Sequence, residues 1–177
     1  MNDKLFPTTY FGPISWYSRL MRAGEWRIDT EERYVKQTTR NHCLIAAVNG
    51  VQKLTVPVVK ASLTSDVLLS DHGKWRSEHW NALCSAYGES PFFDYYADDL
   101  RPFFEHRDWE RLIDFNQAIT EKMLELLGPI PPRKEGDHTA WQPKPYWQVY
   151  QQRHGFLPDL SILDLLCCMG NEAVFYL

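Results

Sequence analysis

YVKQTTRNHCLIAAVNGVQKLTVPVVK, residues 34–60, decides how this chain is read. Two apolar segments, 43–48 and 51–59, flank Asn49-Gly50, the pair that best tolerates positive φ at both centres of a tight turn. The stretch therefore predicts a β-hairpin. Lys36, Gln37, Arg40 and Asn41 crowd its entry, and Lys60 lies just beyond its exit. Hairpin strands pair residue against residue outward from the turn, so an antiparallel return would carry Lys60 back towards Arg40 and Asn41. Such a gathering suits a phosphate or carboxylate: Arg supplies a planar fork, Lys a mobile charge, Gln and Asn neutral donors. The competing structural reading of the same residues is a solvated strand end.

Working outward, Gly12-Pro13 opens a helix in which Ile14, Trp16, Tyr17, Leu20 and Met21 recur at helical spacing, with Gly24 as its stop. A short strand at 5–10 and another at 26–28 flank this helix and predict a β-α-β unit. Beyond the hairpin, 67–69 reads as a strand. A helix over 74–87 follows, closed by Gly88, with a stripe of Trp75, Trp80, Leu83, Cys84 and Tyr87 and with His79 alongside. Short helices and turns fill 90–104. A longer helix runs from Asp108, as N-cap, to Leu127, and Gly128-Pro129 ends it. Five of the eleven prolines fall in 129–145, which predicts a loop. Residues 146–150 read as extended and 161–169 as a short apolar helix.

These elements predict an α/β fold. Its N-terminal half holds a small mixed sheet, built from the β-α-β unit and the hairpin and flanked by helices; its C-terminal half is helical. At 177 residues, one domain spanning 1–177 is expected, able to bury roughly 70% of its unfolded surface. Net charge is −4 but uneven: residues 1–80 carry 11 Lys and Arg against 8 Asp and Glu, residues 81–177 carry 8 against 15. An excess of three positive charges is too weak for general nucleic-acid binding, which needs dense phosphate neutralisation, yet it admits one small anionic ligand. No stretch approaches 18 apolar residues, so no membrane span is expected. Four cysteines without zinc-type spacing and no signal-peptide pattern predict a reduced, cytoplasmic protein.

The second constellation is DHGKWRSEHW, 71–80. On a helix, Arg76 and Trp80 share a face, as do Trp75 and His79. If Lys74 or Arg76 stands at the helix start, free N–H groups add to the attraction for an anion. An imidazole titrates near neutrality, so His79 is the candidate for proton transfer; the structural reading makes it a satisfied core histidine and Trp75 a core ring. Neither HExxH nor a paired CxxC occurs, and glycine loops of the GxxxxGK[ST] or GxGxxG type are absent, so no metal and no cofactor is expected.

With these residues in hand, the chain resembles the WbqC-like family of bacterial proteins. The likeness rests on TTYFGPISWYSRL, on the 34–60 stretch, on SDHGKWRSEHWNALCSAYGESPFFDYYADDL and on the closing GFLPDLSILDLLCCMGNEA. The family's recurring KQ-x-x-RN and TVPV elements match Lys36, Gln37, Arg40, Asn41 and Thr55, Val56, Pro57, Val58. Where other members often open HxPxYLPW, this chain has Pro7 to Pro13 without the histidine. The resemblance implies a cytoplasmic protein, some of whose relatives are encoded among genes for O-antigen or other surface-polysaccharide synthesis. It implies a transferase acting on a nucleotide-linked sugar or an acyl group, with a non-catalytic binding or assembly protein, able to self-associate as a homo-oligomer, as the rival.

The expected site is a pocket for an anionic ligand, a nucleotide-sugar or acyl donor. Lys36, Arg40 and Lys60 would hold its charge with Arg76 assisting, Gln37 and Asn41 would orient it, and Trp75 or Tyr87 would wall it.

Overall fold

The computed structural model describes residues 4–130 and 139–177. Within them the fold is mixed α/β, as the sequence predicts, with the strands distributed over three two-stranded pairs instead of one sheet. Strand β1 (Leu5–Phe6) lies parallel to β2 (Arg27–Ile28), and helix α1 (Ile14–Arg22) connects them, so the β-α-β unit forms. Its strands are shorter than expected, because Pro7 has no N–H to continue the ladder. Residues 131–138, the middle of the proline-rich loop, lie outside the described residues.

The hairpin forms from β3 (His42–Ala47) and β4 (Gly50–Thr55). Its turn is displaced by one residue from the expected one: Ala47 pairs with Gly50, so Val48 and Asn49 make the turn. Only Gly50 takes positive φ, +112°, and Asn49 does not. Gly50 therefore takes its positive φ as the first paired residue after the turn, a conformation that glycine adopts without steric cost. The alternation then places Cys43, Ile45, Leu54 and Val56 inside and leaves Leu44 and Val51 exposed.

Beyond Val56 the second arm leaves the hairpin. Val56 N–H donates to the Asn41 carbonyl at 2.7 Å, Pro57 interrupts, and β5 (Val58–Val59) pairs instead with β6 (Leu68–Leu69). The chain at 110–112 adds itself to β6: Leu69 N–H donates to Glu110 O, and Leu112 N–H to Val67 O. This pairing is why the long helix α5 (Leu112–Leu127) starts after Arg111 and not at Asp108. Helix α2 (Trp75–Tyr87) packs on the hairpin strand β3; α3 (Phe93–Leu100) packs on α4 (Pro102–Glu105), which in turn packs on α2. Residues 141–148 take no regular form and lead through α6 (Gln151–His154) to α7 (Ile162–Met169), on which α3 also packs. Ser161 caps α7 by accepting from Leu163 N–H, and Gly170, at φ +56°, turns the chain into a closing 3-10 helix that the sequence reading did not foresee.

One apolar cluster draws on all these layers, with Tyr10, Phe11, Tyr17, Leu83, Tyr87 and Phe115 fully enclosed. A polar knot is set inside it. Asp164 on α7 is fully buried and, among the described residues, faces no cation; Tyr87 and Tyr146 hydroxyls donate to it at 2.8 and 2.6 Å, and Gln148 Nε2 at 3.0 Å. Burial pushes the Asp164 carboxyl up from its usual range, against the three hydrogen bonds that pull it down. Tyr87 also accepts from Ala46 N–H, so the knot joins α7, α2, β3 and the 146–148 segment. Asp164→Ala strands the buried Tyr87 and Tyr146 hydroxyls, takes one of its bonds from Gln148 and removes volume, and should cost about 3–5 kcal/mol in denaturant unfolding. A loss below about 1 kcal/mol would show that the knot is not a structural hub.

Candidate functional site

The site is built on α2. Its buried face runs Trp75, Arg76, His79, Leu83, Ala86 and Tyr87. This differs from the predicted stripe: Cys84 is exposed, and Trp80 is half-buried between Phe93 and Phe104 with Arg101 over its ring. The periodicity misled because the buried face of α2 contains polar side chains, each held by a partner from another element.

Arg76 is the first. Its guanidinium lies 4.4 Å from the Trp75 ring centroid and 5.8 Å from that of Phe115 on α5. Only 9% of the residue remains accessible. Nη1 donates to the Phe103 carbonyl at 3.3 Å, and Nε stands 3.5 Å from Asp71 Oδ1 and makes no hydrogen bond among the described residues. Burial lowers the Arg76 pKa, and Asp71 opposes the shift. Beside it, at the start of α2, opens a hollow of about 250 Å³ lined by Asp71, Lys74, Trp75, Arg76, Ser77 and Arg107 among others. No side chain caps this end of the helix, so its first amides face a site with positive character.

His79, one turn on, points into the core. The Tyr10 hydroxyl meets its Nδ1 at 2.8 Å, and a second hydrogen bond joins it to the Thr55 backbone. Burial raises the Tyr10 pKa well above the usual phenol value, so this hydroxyl keeps its proton and donates, leaving the neutral ring to donate to Thr55 from its other nitrogen. Desolvation lowers the His79 pKa to about 4. Both ring nitrogens are engaged, and a proton transfer through His79 would have to break one of these bonds. Tyr87, further along the same face, belongs to the Asp164 knot and is fully buried.

The hairpin entry is organised differently. Arg40 is paired in bidentate fashion with Glu32, Nε to Oε1 at 2.7 Å and Nη2 to Oε2 at 2.5 Å, and Nη1 also reaches Thr38 Oγ1. Asn41 is buried and donates to the Val56 carbonyl at 3.1 Å, while its own Oδ1 has no partner. Lys36 and Gln37 are exposed, Gln37 with φ +54°. Lys60 is exposed on the chain that left the hairpin at Pro57, so hairpin pairing does not return it to Arg40. An isolated bridge of Arg33 with Leu63 nevertheless runs the segments bearing Lys36 and Lys60 side by side.

Trp75 thus touches both Arg76 and His79, and α5 links them to the hairpin entry: Phe115 lies under Arg76, while Asn116 Nδ2 donates to the Arg40 carbonyl at 2.8 Å. Glu32 and Arg107 were not singled out from the sequence. Nothing in the spacing marks them, since each meets its partner through chain folding. Cys43 is buried and its thiol is pushed up to about 12, which leaves it unreactive near neutrality.

His79 gives a pH test. An unfolded histidine takes up its proton near pH 6.5, whereas folded His79 resists until about 4. Its neutral form therefore supports the fold fully above pH 6.5, and that support drains away as pH falls towards 4, by on the order of 3 kcal/mol. Wild type should lose this increment relative to His79→Gln when urea melts at pH 7 and pH 4.5 are compared. Parallel pH profiles for the two proteins would contradict the buried neutral imidazole.

Comparison with known proteins places these features in a wider context. A family model described as the WbqC-like protein family matches residues 8–135. The match takes in the 71–80 constellation, the hairpin and α5, and leaves α6 and α7 outside. Over 107 residues the chain is 30% identical to the uncharacterized protein Rv1507c of Mycobacterium tuberculosis, an alignment covering 59% of this chain and 46% of that protein. The chain thus spans under half the length of that relative. No solved structure matches the chain. With more than two thirds of its residues matched by the model, the chain belongs to the WbqC-like protein family.

Proposed function

We propose that this protein is a cytoplasmic enzyme of the transferase type. Its substrate is an activated, nucleotide-linked sugar or an acyl group, and its setting is bacterial surface-polysaccharide (O-antigen-like) biosynthesis. The observation that carries the reading is Arg76: a guanidinium nine-tenths enclosed, sandwiched by aromatic rings, and bordering a hollow at an uncapped helix start. Burying a cation without a well-made partner is costly, and an anionic ligand would satisfy it. Lys36 and Lys60, both exposed, are available to a ligand extending across the surface, while Gln37 and Asn41 stand at the same hairpin entry. His79 would hold its place through Tyr10, and Trp75 forms the wall on which Arg76 stacks.

The second reading is a non-catalytic binding or assembly protein of an envelope or glycan pathway. One observation favours it: among the described residues neither a histidine nor a thiol lines the hollow, and the acids there are Asp71 and Glu105. A domain that binds without reacting needs no more.

Calorimetry and thermal melts of the full chain against nucleotide-sugars, nucleotides and acyl donors test the proposal. A true ligand at a hundred times its dissociation constant should add about 2.7 kcal/mol of stability. Arg76→Ala should abolish that gain, and Lys36→Ala, a surface change, should weaken it without altering the unliganded melt. Turnover of the bound compound separates transferase from binding protein. Absence of a shift with every anion would overturn both forms of the ligand hypothesis and leave assembly alone.

A further inference from the structure

The hollow at the start of α2 contains a contact that looks like a ligand's place already taken. Asp71 spans two guanidinium groups: Oδ1 stands 3.5 Å from Arg76 Nε, and Oδ2 3.3 Å from Arg107 Nη1. Both distances exceed the 2.7–2.9 Å or so of a well-made charge-assisted hydrogen bond. The Asp71 side chain is half exposed, whereas that of Arg76 is 10% exposed. A loosely held carboxylate on the outside therefore faces a fixed cation on the inside.

The charges do not balance. Lys74, Arg76 and Arg107 line the hollow against Asp71 and Glu105, and Glu105 is drawn away to Arg101 at 3.2 Å. Arg76 offers five N–H donors, yet among the described residues its one hydrogen bond is to Phe103, and its buried Nε meets only the loose Asp71 contact. The thirteen-residue helix adds uncapped amides at the same wall. Donors and positive charge exceed what one monovalent carboxylate can satisfy.

We propose that this hollow is a binding site for a phosphate monoester. Arg76 and Arg107 grip its oxygens with the first-turn amides of α2, and Asp71 is the internal occupant that the ligand displaces. Three terminal oxygens and about two negative charges match the two guanidiniums and the amides, where a carboxylate supplies two oxygens and one charge. At about 250 Å³ the space falls below the roughly 300–1,000 Å³ that drug-sized ligands fill, so it admits the phosphorylated end of a small molecule and not a whole nucleotide-sugar. The inference rests on the anion-binding reading above and narrows it to a class of substrate, such as a sugar phosphate.

Calorimetry of the full chain with inorganic phosphate and with glucose 1-phosphate provides the test. Replacing Asp71 removes the competitor, so Asp71→Asn should tighten both by about threefold, in line with the loss of an exposed charge contact. Arg107→Gln should weaken both by about tenfold without shifting the unliganded melt, because its side chain is solvent-exposed, whereas Asp71→Asn, which takes the counter-charge from the enclosed Arg76, should lower that melt. Preference for glucose 1-phosphate over inorganic phosphate would assign the source to a sugar phosphate, and the reverse order to the free ion. Unchanged or weaker binding in Asp71→Asn, or full binding in Arg107→Gln, would overturn the inference. If a nucleotide-sugar binds through Arg76 while phosphate and glucose 1-phosphate do not, the inference fails and the broader reading stands.

Discussion

Helix α2 carries three polar side chains into the core on one face, and the fold is arranged so that each meets a partner. Arg76 needs the Phe103 carbonyl and the Trp75 and Phe115 rings; His79 needs Tyr10 and the Thr55 backbone; Tyr87 needs Asp164 and Ala46 N–H. A buried polar group left alone costs on the order of 1–3 kcal/mol, so a shift of α2 by even one residue would lose several partners at once. The partners come from the N-terminal loop, the hairpin, α4, α5 and α7. Apolar packing would tolerate several positions of these elements; the polar contacts select one.

The N-terminal loop shows how tightly this works. Phe11 is fully buried with φ +41°, a conformation that costs a non-glycine residue of order 1–3 kcal/mol. It persists because its neighbours over-determine it. The Phe11 ring stacks on Phe104, its carbonyl accepts from Ser161 Oγ at 2.7 Å, and the next carbonyl, of Gly12, accepts from Ile162 N–H. Gly12 is forced by the same arrangement, since a Cβ there would come within 2.4 Å of Thr9 Oγ1. The outcome is that Tyr10, between Thr9 and Phe11, is held with its hydroxyl on His79.

The elements were largely legible because they depend on local signals: helical spacing in 14–22 and 112–127, glycine stops at Gly88, Gly128 and Gly170, and the alternation of the hairpin. What was not legible arose where a distant segment competed. The start of α5 moved because 110–112 joined β6, and the path to Lys60 changed because Pro57 ended one ladder and β5 began another. The turn slipped by one residue because Gly50, and not Asn49, took the positive φ. Of the expected site, the 71–80 constellation could be read from residue type and helix position, whereas Arg107 reaches it from 36 residues away. One local clue was available for the Asp164 knot: a lone acid within SILDLLCC has to be satisfied by something.

Arg40 and Arg76 look alike as candidates in the sequence and differ in the folded chain. Arg40 is matched oxygen for nitrogen by Glu32, with both side chains mostly enclosed, and its backbone is held by Asn116. A guanidinium so satisfied fixes a loop; a ligand would have to break a good bidentate pair to reach it. Arg76 is more completely enclosed yet has one long hydrogen bond, from Nη1, and one loose ion pair, from an Nε that makes no hydrogen bond among the described residues. Enclosure raises the strength of any charge interaction made there, because less water screens it. An arginine that is enclosed and under-satisfied therefore gains most from an incoming anion, and an arginine already matched gains least. Positive charge alone does not separate a structural cation from a binding one. The state of its donors does, and of these two arginines only Arg76 has a buried N–H without a hydrogen bond among the described residues.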